Sequence, residues 1–201
     1  FLINMPIYFL LGGLATFSLE PYKVYPLIFC FSFAIFGICK TSNFKHLFCL
    51  SFSFSFGWFF LGLYWIANAF LVKSGFYLFL MPIAAALLPL FLSLIWCVAF
   101  IIAKFISSKV GEIHINIMIL LSIIEYLRGE LLNFPWLMPG NFFASQEVLI
   151  QGFSSIGSYS MNVIFLFIVI LPLLIIKYKK QLILPIFFLL TPTVFLLIKS
   201  Y

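Results

Sequence analysis

Seven apolar runs divide the chain: Phe1–Leu19, Val24–Cys39, Leu47–Val72, Phe76–Ala103, Ile113–Leu127, Ser158–Ile176 and Leu182–Ile198. None alternates polar and apolar residues as a half-buried or barrel strand would, so their continuous character predicts helices. Crossing the hydrocarbon of a bilayer takes about 20 helical residues. The second and fifth runs are short by that measure, while the third and fourth are long enough to tilt or to run past the interface. The expected fold is all-α: one polytopic membrane bundle of about seven transmembrane helices. The connection 128–157 interleaves Pro135, Pro139, Gly140, Asn141, Gln146 and Gln151 with Phe134, Trp136, Phe142, Phe143 and Phe153. It reads as an interfacial or partly re-entrant loop, whose irregular backbone needs cover from protein or water.

Composition strengthens this picture. The 201 residues are 65% hydrophobic and 8% charged, with a mean hydropathy of +1.26; a soluble chain is roughly 45–50% apolar and about 25% charged. The net charge of +6 does not mark a nucleic-acid partner, because the basic residues are scattered through short connections. Lys40 and Lys45 follow the second run, Lys104 and Lys109 the fourth, and Lys177, Lys179 and Lys180 the sixth. The opposite set is poorer: Lys23, Lys73, Arg128 and Lys199. By the positive-inside rule the even-numbered exits are cytoplasmic. The N-terminus is then expected inside, with 128–157 and the chain after the seventh run outside. No basic leader or small-residue cleavage site marks the first run, which reads as a retained helix and not a signal peptide.

Candidate chemistry concentrates at EYLRGELLNFPW, residues 125–136. It holds the only arginine of the chain, Arg128, three residues after Glu125. That spacing puts both groups on one side of a helix, and ionisable groups near a bilayer are costly and usually have a reason. Three roles stay open from the chemistry: a proton relay, a headgroup anchor or a static pair. Pro135 ends the helix, with Phe134 before it and the amphipathic Trp136 after it. GWFFLGLYWIANAF at 57–70 supplies Tyr64, Trp65 and Asn68, either an aromatic belt with one interhelical amide or a wall beside a lipid headgroup. Gly12 and Gly13 allow close helix approach, and Tyr22 and Tyr25 follow at interface depth. His114, next to Glu112, reads as a solvated interfacial histidine. Cys30, Cys39, Cys49 and Cys97 lack metal spacing and read as small buried hydrophobes. With no Ser/His/Asp set, HExxH, phosphate-cradling loop or CxxC, neither a catalytic residue, a metal nor a cofactor is expected.

Three stretches, GGLATFSLEPYKVYPL at 12–27, GWFFLGLYWIANAF at 57–70 and EYLRGELLNFPWL at 125–137, resemble in order and spacing the N-terminal membrane region of the apolipoprotein N-acyltransferases. A fourth, LIQGFSSIGSYSMNVIFL at 149–166, resembles the segment that leads into the next helix of that family. Asn133 stands where the family usually has Gly, and 139–146 replaces its Gly-Tyr-Ser-like segment. The resemblance implies a multi-pass protein of the bacterial inner membrane. It also implies acyl transfer from a phospholipid to the N-terminal diacylglyceryl-cysteine of a lipoprotein. The Glu-Lys-Cys triad for that chemistry belongs to an extracytoplasmic nitrilase-like domain; none of the four cysteines here maps onto its nucleophile, so this part alone is expected to be inactive. On that likeness Arg128, held by Glu125, is placed to meet a phosphate, and Phe134, Pro135 and Trp136, with Tyr64, Trp65 and Asn68, to line a lipid portal. Two other readings are an inactive remnant serving as a scaffold and a small multi-spanning transporter.

Overall fold

The structure, a computed structural model, describes residues 4–68 and 77–178. Every regular element among them is helical: α1 (Asn4–Thr16), α2 (Phe29–Lys40), α3 (Phe44–Gly62), α4 (Tyr77–Ser107), α5 (Ile113–Leu132), α6 (Glu147–Ile156) and α7 (Ser158–Tyr178). Short 3-10 turns occupy Tyr25–Ile28, Tyr64–Ala67 and Pro139–Ser145. Among the described residues, α3, the Met81–Ser107 part of α4, and α7 are long and apolar enough to cross a membrane, and Tyr25–Lys40 is a shorter apolar stretch. The seventh apolar run lies outside the described residues.

The helices close into a ring. α1 packs on α3, α3 on α4, α4 on α5 and α5 on α7, while α2 touches α1, α3 and α7. Phe31 of α2 fills the centre. Its ring meets Phe54 and Trp58 of α3 and Phe165 of α7 edge-on, at centroid distances of 5.0, 4.9 and 5.4 Å, and lies 6.1 Å from Trp96 of α4. Edge-to-face pairs at such distances add about 0.5–1.5 kcal/mol each beyond area burial. α1 and α3 approach closely through glycines: a Cβ on Gly12 would stand 2.8 Å from the Trp58 nitrogen, and one on Gly57 2.8 Å from the Phe9 carbonyl carbon. Small residues permit this backbone contact between membrane helices. The outer wall is hydrocarbon, with Leu10, Phe33, Leu87, Phe91, Ile119 and Ile164 exposed.

Several element boundaries differ from the sequence expectation. The third run was expected to continue to Val72, but α3 stops at Gly62, where a Cβ would lie 2.7 Å from Leu137 Cδ1. The chain then turns through Tyr64–Ala67. The fifth run was expected to end at Leu127, yet α5 continues to Leu132, so Glu125 and Arg128 sit within the helix. Asn133 closes α5 in the left-handed conformation, φ 50° and ψ 34°. Gly and Asn are the residues that take this C-terminal position readily. Of the expected loop 128–157, much is regular: the end of α5, the Pro139–Ser145 turn and α6.

At the lysine-rich end of the bundle, which carries Lys40, Lys45, Lys104, Lys109 and Lys177, Glu112 organises a polar cluster. Its carboxylate accepts from Tyr178 Oη at 2.9 Å, pairs with His114 Nδ1 at 2.7 Å and takes a third bond from Lys177 Nζ. His114 is buried, 8% exposed, and not the solvated residue expected; only the fold brings the end of α7 to its partner Glu112. Burial pushes the Glu112 carboxyl up, but bonds from Lys177, His114 and Tyr178 outweigh this and hold it below its usual value. A carboxyl depressed on folding stabilises above the unfolded carboxylate range and ceases to do so as pH falls through the folded value. The melting temperature in detergent should accordingly drop as pH falls below the normal carboxylate range. Glu112→Gln should flatten that acid limb; an unaltered limb would mean that other groups set it.

Candidate functional site

At the opposite end, α5 turns Glu125 and Arg128 inward. Both side chains are fully enclosed. Arg128 Nε donates to Glu125 Oε1 at 3.1 Å, and Nη2 donates to Oε2. This is the bidentate arrangement that a planar guanidinium makes with a carboxylate. Nη1 then reaches beyond the helix, donating to the carbonyl oxygens of Phe134 at 2.9 Å and Trp136 at 2.8 Å. The guanidinium thus engages four of its five N–H groups. It also lies 5.6 Å above the Phe59 ring.

Trp96 completes the site. Its indole N–H donates to Glu125 Oε1 at 2.7 Å, while its ring stacks 6.3 Å from Trp58 and meets Phe59 edge-on at 4.9 Å. Nothing near Trp96 in sequence marks it, because it is one aromatic within a long apolar run. Trp58 adds a bond from Nε1 to the Leu137 carbonyl at 3.4 Å. A carboxylate, a guanidinium and two indoles therefore hold the irregular segment 133–138 onto the bundle, and the buried charges neutralise each other there.

The rim above this core is aromatic and exposed. Phe134 is half-buried, Pro135 exposed, and Trp136 meets Trp65 edge-on at 5.8 Å. Tyr64 is exposed as well, and a hydrogen bond between the Tyr64 and Tyr22 hydroxyls raises the Tyr22 pKa. Asn68 caps the Tyr64–Ala67 turn and is exposed. The expected residues thus form two layers: Glu125 and Arg128 inside, and Phe134 to Trp136 with Tyr64 and Trp65 outside. The guanidinium in this structure faces backbone carbonyls. The Pro139–Ser145 turn is anchored where the Gly140 N–H donates to Asn162 Oδ1 at 3.0 Å, on the first turns of α7. Among the described residues no three His, Cys, Asp or Glu side chains converge on a metal position.

A ring of helices with hydrocarbon outside, aromatic rings at its centre and a neutralised ion pair beneath an aromatic rim is a membrane-embedded helical domain. Comparison with known proteins gives its family. The pattern of the "Apolipoprotein N-acyltransferase N-terminal domain" family matches residues 11–171, and the chain belongs to that family. A protein of Rhodopseudomonas palustris named apolipoprotein N-acyltransferase is 32% identical over 162 residues, 77% of this chain and 30% of its own length. One of Sinorhizobium fredii with the same name is 32% identical over 128 residues, 63% of this chain and 24% of its own. In Rickettsia prowazekii the figures are 28% over 160 residues, 79% and 32%. The chain thus spans about a third or less of the curated relatives it matches.

Proposed function

We propose that this chain is the membrane domain of an apolipoprotein N-acyltransferase in the bacterial inner membrane. In this reading seven spans run from a cytoplasmic N-terminus to an extracytoplasmic end. The lysine-rich face of the described bundle supports that orientation, because basic ends remain cytoplasmic. The Glu125–Arg128 end then faces outward. A nitrilase-like domain carrying a Glu-Lys-Cys triad would do the chemistry above it, moving an acyl chain from phospholipid through a cysteine thioester to the amine of a lipoprotein's diacylglyceryl-cysteine. This domain would admit both lipidic substrates past the rim of Phe134, Pro135, Trp136, Tyr64, Trp65 and Asn68.

The observation that carries the reading is the reach of Arg128 to the Phe134 and Trp136 carbonyls. It couples a buried, neutral pair to the position of the rim. Among the described residues the buried His, Glu and Arg side chains, His114, Glu125 and Arg128, lie toward the ends of α5 and already have partners, which favours this reading over a transporter with charges along a pathway. Lysine at position 128 keeps the charge but cannot form the two-pronged contact and still hold both carbonyls. In a complete acyltransferase bearing this domain, Arg128→Lys should slow acylation per folded molecule by on the order of ten- to a hundred-fold, as small misplacements do. Triacylated lipoprotein formed per mole of folded enzyme is the measure. A normal rate per folded molecule would reduce the pair to a purely structural role.

A further inference from the structure

The stretch LIQGFSSIGSYSMNVIFL at 149–166 takes no part in the Glu125–Arg128 pair; there α6 gives way to α7. Gly157 separates the two helices at φ 82° and ψ 163°, a backbone region essentially reserved for glycine. The break sets the face that α7 presents over its first turns, where Tyr159 and Asn162, three residues apart, share one side. Asn162 is 1% exposed, and a buried amide in a membrane helix calls for a partner.

That partner is backbone. Met138, at the cap position of the Pro139–Ser145 turn, makes no side-chain hydrogen bond to it, and proline has no N–H to offer. Gly140 supplies the first N–H of the turn, a donor without an acceptor inside the turn. Asn162 Oδ1 accepts it at 3.0 Å, so α7 caps the turn from outside. The fit is close: a Cβ on Gly140 would lie 2.6 Å from both Cα and N of Asn162, backbone atoms held in a helix. At the end of α5, the Tyr159 hydroxyl donates to Glu130 Oε1 at 3.0 Å, and its ring crosses Gly129, where a Cβ would come within 3.0 Å of Cζ. Residues 133–138 therefore run between two points that both belong to the start of α7.

We propose that Asn162 is a positioning residue for the outer rim: by capping the turn that follows Trp136 it sets where that indole stands against Trp65, while Tyr159 fixes the other end of the segment. Arg128 holds the middle of the segment through the Phe134 and Trp136 carbonyls; α7 fixes its ends. The consequence for acyl transfer rests on the function proposed above, whereas the placement of the rim does not.

The first readout needs no acyl transfer. Trp58 and Trp96 are 0% exposed and Trp65 and Trp136 are 45% and 56% exposed, so acrylamide quenching of the full chain in vesicles reports the rim. Asn162→Leu removes the acceptor and Gly140→Ala pushes the turn away; each should raise the quenching constant. Asn162→Asp keeps an oxygen in the same place and should restore the parent value. Tyr159→Phe loses only a hydroxyl at the other end, leaves the fold intact and should give a smaller rise. The second readout uses a complete acyltransferase bearing this domain. There Asn162→Leu should lower kcat/KM for the lipoprotein on the order of ten-fold, chiefly through KM, as small misplacements do, and Asn162→Asp should recover it. A purely structural role would lower the yield of folded enzyme and leave KM unmoved. Quenching at the parent value in every folded variant overturns the proposal, as does an equal rise in Asn162→Leu and Asn162→Asp. A displaced rim with unchanged kcat/KM upholds the placement by Asn162 and overturns the reading of the rim as a substrate portal.

Discussion

Arg128→Ala should destabilise the domain by about 3–5 kcal/mol, the range for removing one member of a buried ion pair. The loss arises less from the missing attraction than from what stays behind. Glu125 would keep a carboxylate fully enclosed, with only the Trp96 indole donating to it, and the Phe134 and Trp136 carbonyls would lose their donor. Removing both charges together should therefore be milder than the single losses suggest. In Glu125→Leu/Arg128→Leu the uncompensated charge is gone, and the shortfall from additivity should fall within the 0.5–3 kcal/mol seen for directly contacting residues. Thermal or denaturant unfolding of the two singles and the double in one detergent gives the cycle. Strict additivity would show that the two side chains act separately, against the two-pronged geometry.

This core was partly legible before the fold was known. A lone arginine three residues from a glutamate, ahead of Phe-Pro-Trp, is a rare pattern on a hydrocarbon background, and helical spacing alone brings the two charges together. The stop imposed by Pro135 was legible too, but not its position: α5 runs to Leu132 and closes at Asn133. What local spacing could not disclose was tertiary. Trp96 reaches Glu125 from another helix. Leu137 packs against Gly62, the last residue of α3, from 75 positions further along the chain. Lys177 and Tyr178 reach Glu112, the partner of His114, from the far end of α7. Each contact joins residues whose own neighbourhoods look ordinary.

The same limit governs which phenylalanines matter, and it has a physical cause. In water, a helix declares its buried face by an apolar stripe opposite polar residues. Here lipid-facing and core-facing positions are both hydrocarbon, so Phe31 and Phe33 of α2 look alike in sequence. The fold separates them: Phe31 is 0% exposed and Phe33 is 67% exposed. Phe31→Ala removes a ring that three helices pack around, so the transfer and cavity penalty of about 3–5 kcal/mol for a buried phenylalanine applies. Phe33→Ala, two residues away, trims a side chain that meets lipid. It should change stability by no more than about 0.5 kcal/mol, as a surface substitution does. Unfolding of both variants under one condition separates the cases. Comparable losses would mean that α2 is turned differently in the ring, and the aromatic centre assigned to Phe31 would have to be rebuilt around another residue.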